Sequence, residues 1–114
     1  MIGEPKGLLI TIYKFAYMIT EKLIEHITSS IGADHHQVRI AIEQCRAKGV
    51  LTKQEVMQLD NQGLPVSMIL RTILSITTKD GLDIVLSQHK ITYHDLVCMI
   101  GIIAQDVKLQ QQRR

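Results

Sequence analysis

Two groups of residues in this chain have types and spacings suited to chemistry. His94 and Cys98 stand one turn apart on a helix face, where an imidazole and a thiolate can reach the same Zn²⁺ ion. A closed structural zinc site takes four ligands. His35, His36, His89 and Cys45 would have to arrive through folding, and no paired spacing brings them. No metal is therefore expected. Cys45 and Cys98 each lie inside an apolar helical pattern and read as buried thiols in a reducing compartment. Asp34, His35 and His36 form the second group, a loop cluster of the kind that can hold a general base. Asp34 is better explained as a helix cap, with Gln37 three residues on. The chain contains no glycine-rich phosphate loop, nucleophile elbow or metalloprotease helix, so neither an enzyme nor a cofactor is expected.

Nucleic-acid reading is the remaining chemistry to weigh. Thr52 to Ile76 has two short helices with a glycine between them, the outline of a helix-turn-helix. A recognition helix must offer donors and acceptors to base edges. Here Ser67, Arg71, Thr72 and Ser75 are the only polar side chains among Val66, Met68, Ile69, Leu70, Ile73, Leu74 and Ile76. Packing explains that helix better than DNA does, and Arg71 belongs at its rim. Net charge is +2, with 13 basic and 11 acidic residues spread along the chain, and this balance gives no basic footprint.

The elements that position these residues are all helical. Pro5 suits a first helical turn and Gly32 a helix end, so one helix is predicted between them, on the order of 40 Å long at ~1.5 Å per residue. Its first half, Leu8 to Ile19, is apolar nearly all round, and from Glu21 onward it becomes amphipathic. The apolar stretch holds Lys14 and is shorter than the ~20 residues needed to cross a bilayer, so no membrane span is expected. Lys14, Glu21 and Glu25 also fit a signal peptide poorly.

A second helix follows Asp34 with Val38, Ala41, Ile42 and Cys45 on one face, and ends at Gly49. Arg39, Glu43 and Arg46 on its outer face read as solvated ion pairs. Thr52 and Glu55 form a capping box opening a third helix. The stretch Ile42 to Val56 resembles the helix-Gly-apolar-apolar-Thr-x-x-Glu-apolar pattern of short C-terminal oligomerisation modules common in bacterial proteins, a likeness from which no function is carried over. Gly63 and Pro65 separate the third helix from a fourth reaching about Ile76. A break at Thr77 to Gly81 precedes a short helix over Leu82, Val85 and Leu86. Thr92 and Asp95 repeat the capping box before a last helix through Leu96 to Ala104. The capping signatures at Asp34, Thr52 and Thr92 have no fixed period.

The fold expected is all-α, a small bundle of about five to six helices with a long N-terminal helix. It forms a single helical domain over residues 1–114, with 1–4 and 110–114 as frayed termini. The chain is 46% hydrophobic and 4% aromatic with no tryptophan, so its core is aliphatic. Leu8 to Ile19, Val66 to Ile76 and Leu96 to Ala104 are each apolar nearly all round, more than one small bundle can enclose. The function expected is a non-enzymatic protein–protein interaction module, a helical adaptor, chaperone-like or regulatory protein, cytoplasmic and acting as a homodimer or other homo-oligomer. The alternative is a small helix-turn-helix transcriptional regulator. The interface expected comprises Leu8, Ile12, Phe15, Ile19, Met68, Ile69, Ile73, Ile100, Gly101 and Ile103. Gly101 in mid-helix costs ~1 kcal/mol against alanine, and a close crossing by another helix would compensate that cost.

Overall fold

The computed structural model describes residues 21–112, and these are all-helical. Residues 21–31 form α1. It is followed by α2 (His35–Lys48), α3 (Lys53–Asn61), α4 (Val66–Ile73), α5 (Lys79–Ser87) and α6 (Tyr93–Gln112). A helix is supported only from residue 21, so the long N-terminal helix expected between Pro5 and Gly32 is not part of the described fold. Leu8, Ile12, Phe15 and Ile19 lie outside the described residues.

Local chemistry sets most boundaries where the sequence places them. The α1 helix stops at Gly32, and the Ala33 N–H reaches back to the Thr28 carbonyl at 3.0 Å. Asp34 caps α2, its Oδ1 accepting from the backbone of His36 at 2.9 Å and of Gln37 at 3.2 Å. The reciprocal bond comes from elsewhere: the Asp34 N–H donates to Gln62 Oε1, 28 residues away in sequence, and not to Gln37. The α2 cap is thus tied to the turn after α3. That turn closes through Gly63 and a Leu64 N–H to Leu59 carbonyl bond of 3.0 Å, while Asp60 accepts from Ser67 N at 3.1 Å across it. The fourth helix ends at Ile73, short of the expected Ile76, and Ser75 just beyond it is left-handed.

The two capping boxes at Thr52 and Thr92 are brought side by side. Val50 and Thr92 form an antiparallel β-bridge, with Leu51 N donating to the Ile91 carbonyl at 2.8 Å and Tyr93 N to the Gly49 carbonyl at 3.0 Å. The two corners match at three points. Gly49 and His89 are both left-handed, Leu51 and Ile91 are both buried, and each corner ends in an acid that accepts from a threonine N–H. His89 bears a strain that Gly49 avoids, because a left-handed backbone crowds a Cβ. The α2–α3 and α5–α6 corners therefore form a pair joined back to back, a repeat that the capping signatures alone do not disclose.

One aliphatic core runs through every element: Ile24 and Ile27 of α1, Val38 and Ile42 of α2, Leu59, Val66 and Leu82, and the α6 stripe Leu96, Met99, Ile100, Ile103, Ala104 and Val107. Tyr93 packs only at its edge. Cys45 is fully buried in this core, and burial together with the nearby Glu55 carboxylate pushes its thiol up to about 12. Cys98 is exposed, against the expectation of a buried thiol. It stands two positions after Leu96 and two before Ile100, on the side of α6 turned away from the core stripe.

Candidate functional site

Aliphatic side chains left in solvent define the candidate site. The last turn of α1 places Ile31 over the α3–α4 turn, where its Cδ1 lies 3.6 Å from the point a Cβ would occupy on Gly63. Pro65, Met68 and Ile69 at the start of α4 form one wall, and Ile102, Ile103 and Val107 of α6 form the other. The groove they enclose has a volume of about 410 Å³, with Asp106 as its single ionisable residue. Met68 is 61% exposed and Ile102 is 50% exposed. Ile103 and Val107 form its floor and belong to the core. The groove is thus a place where core packing continues into solvent.

The residues singled out from the sequence divide accordingly. Met68, Ile69 and Ile103 meet in the groove. Ile73 lies further along α4 and is 60% exposed, beside the exposed Leu74. Ile100 is fully buried and cannot reach a partner in this fold. Gly101 is half-buried, and a Cβ built on it meets nothing within 4 Å among the described residues. The close helix crossing expected there is absent from the described fold; a crossing by Leu8 to Ile19 lies outside it. Ile31, Gly63, Pro65 and Ile102 are groove residues that the sequence reading missed. No sequence signal singles out Ile102 in a run that is apolar on nearly every face; only the burial of Leu96, Met99, Ile100, Ile103, Ala104 and Val107 puts it on the other side.

Most polar groups on the neighbouring faces are already engaged. A cleft of about 240 Å³ between α3, α4 and α5 contains Lys53, Asp60, Arg71, Lys79 and Asp83. Lys53 pairs with Asp83 at 3.2 Å, and Arg71 donates to the Thr77 carbonyl at 2.7 Å. Arg71 sits at the rim of α4 as expected, but its partner is a backbone carbonyl and not a carboxylate. The outer pairs of α2 are Arg46 with Glu43 at 2.8 Å and Arg39 with Glu21 of α1 at 3.2 Å. His94 and Cys98 are both exposed, and no group of three His, Cys, Asp or Glu converges among the described residues. No helix of the described residues is long and apolar enough to cross a membrane.

One polar cluster is buried. Glu55 is fully inaccessible; its Oε1 accepts from Thr52 N at 2.9 Å and Thr52 Oγ1 at 2.6 Å, and its Oε2 accepts from Lys48 Nζ at 2.6 Å. Burial pushes the carboxyl upward, but the Lys48 and Thr52 hydrogen bonds outweigh it and hold the group below the usual carboxylate range.

Neither a family model nor a curated protein nor a solved structure matches this chain.

Proposed function

We propose that this protein is a non-enzymatic interaction module, an adaptor, chaperone-like or regulatory protein that binds a protein partner or a second copy of itself through apolar helix surface. The observation that carries the reading is the groove between α1, α4 and α6, where Ile31, Met68, Ile69 and Ile102 are presented together beside one ionisable residue. Exposed aliphatic side chains gathered in a concavity are what a partner's apolar residues would cover, each Å² removed from water contributing ~25 cal/mol. A cytoplasmic setting accords with the free thiols Cys45 and Cys98, since an exposed unpaired cysteine persists best where thiols stay reduced.

The test is light-scattering mass across a concentration series for the parent chain and for Met68→Glu and Ile102→Glu. The parent should be larger than a monomer or bind a helical partner, and each charged substitution should weaken that association while leaving the helical circular dichroism unchanged. A parent that stays monomeric and is retained on duplex DNA in a salt-sensitive manner would replace this reading with the helix-turn-helix alternative.

A further inference from the structure

The stretch of chain that precedes α1 has the composition the groove calls for. Leu8, Ile12, Phe15 and Ile19, outside the described residues, recur in the sequence at i, i+4, i+7 and i+11. This is the spacing by which an apolar helix anchors itself in a groove. Lys14, the only charged residue from Leu8 to Ile19, falls off that face. The groove answers with aliphatic walls at Met68, Ile69 and Ile102, a floor of Ile103 and Val107, and about 410 Å³ of space. Sequence spacing thus makes this stretch a fitting occupant, and attachment decides which molecule's groove it enters. The stretch joins α1 at Glu21, whereas the groove lies at the other end of α1 beside Ile31, about 15 Å away at ~1.5 Å per residue.

To enter its own groove the chain would have to reverse direction next to Thr20. Tight reversals draw on glycine and proline, and neither occurs between Leu8 and Ile31. Continuing the direction of α1 back through Ile19 to Leu8 leads away from the groove, to a distance of about 18–35 Å from Ile31 along the helix axis. A groove on another molecule is the one within reach there. We propose that Leu8 to Ile19 of one chain seats in the groove of a second copy beside Ile31, Met68 and Ile102, and that the second copy returns its own segment to the first. Such an exchange closes under two-fold symmetry and leaves neither groove open. It joins two apolar surfaces that a single bundle cannot enclose together. The proposal rests on the reading of the groove as a docking surface and names its occupant.

The experiment traps the contact in the full-length chain. Cys98→Ser is introduced throughout to remove the exposed thiol, while Cys45 stays because it is buried. Ile12→Cys and Met68→Cys are made in separate chains, which are mixed in denaturant, refolded together and treated with a short bifunctional maleimide. Linked peptides, identified by mass spectrometry, should join unlike chains in preference to like ones, and a chain carrying both substitutions should be recovered as a linked dimer. Linkage within one chain would overturn the proposal, as would no linkage between unlike chains when the parent self-associates. A second measurement needs no linker: Phe15→Glu and Met68→Glu should each raise the dimer dissociation constant at least about tenfold with unchanged helical circular dichroism. Combined, they should raise it by less than the product of the two effects, because both break the same contact. If Met68→Glu weakens association and Phe15→Glu does not, this occupant is wrong and the docking reading stands. A parent that is monomeric at every concentration also overturns the occupant, and the docking reading falls with it if no helical partner is bound either.

Discussion

Replacing Lys48 with methionine keeps most of the side-chain volume and removes the one cation that pairs with Glu55 among the described residues. The buried carboxylate would lose one of its three donors and keep the N–H and hydroxyl of Thr52. Breaking a fully buried pair costs ~3–5 kcal/mol, but Lys48 is 41% exposed, so solvent already screens part of the attraction. The lost charge-assisted bond and the poorer satisfaction of Glu55 together give ~1–2 kcal/mol at neutral pH. The pH dependence tests the cause. In the parent the folded-state pKa of Glu55 is lowered, so its contribution is complete above the unfolded value of ~4.3 and is lost as pH falls through the folded value. Without Lys48 the burial penalty is less opposed, and the folded pKa moves up relative to the parent. The variant therefore loses less on acidification, and the stability gap should be widest at neutral pH and close as Glu55 protonates. Urea midpoints for both proteins from neutral pH down through the carboxylate range would show this convergence. A gap that stays constant over that range would mean that Lys48 acts through packing and not through the charge of Glu55.

Glycine positions give a second prediction. Gly101→Ala should stabilise the fold by ~0.5–1 kcal/mol, since the helix gains propensity and the added methyl meets none of the described residues within 4 Å. Gly81→Ala should destabilise it by ~1–3 kcal/mol, because the new Cβ would lie 2.9 Å from Ile76 Cγ2 and 3.0 Å from the capping Thr78 Oγ1; thermal midpoints moving in the same direction would refute the assignment. Thiol accessibility gives a third. At mildly alkaline pH a thiol-disulfide reagent should label Cys98 at once and Cys45 only after unfolding, because Cys45 is buried and protonated well above that range. Equal labelling rates in the native protein, read by mass spectrometry, would contradict the core position of Cys45.

The sequence by itself determined the all-helical class, the aliphatic core and most helix ends, because these depend on neighbours along the chain. Asp34 and Thr92 accept from backbone groups within three residues of themselves, Glu55 accepts from the Thr52 N–H three residues before it, and Gly32, Gly49 and Gly63 take left-handed conformations that glycine adopts without a Cβ penalty. Three further features were decided by the tertiary structure alone. Val66 to Ile76 and Leu96 to Ala104 carry apolar residues on nearly every face, so the sequence reading placed Ile100 at an interface although the core takes it, and missed Ile102, which faces solvent. The second bond of the α2 cap comes from Gln62 because folding brings the α3–α4 turn to Asp34; a nearby glutamine in the sequence could not reveal that. The pairing of the two corners through Val50 and Thr92 joins segments far apart in the chain, so the relation between Thr52 and Thr92 becomes visible only when both backbones bond across it. Local bonding fixes where helices start and stop, whereas long-range packing decides which of several equally apolar faces is covered, and therefore where the groove lies.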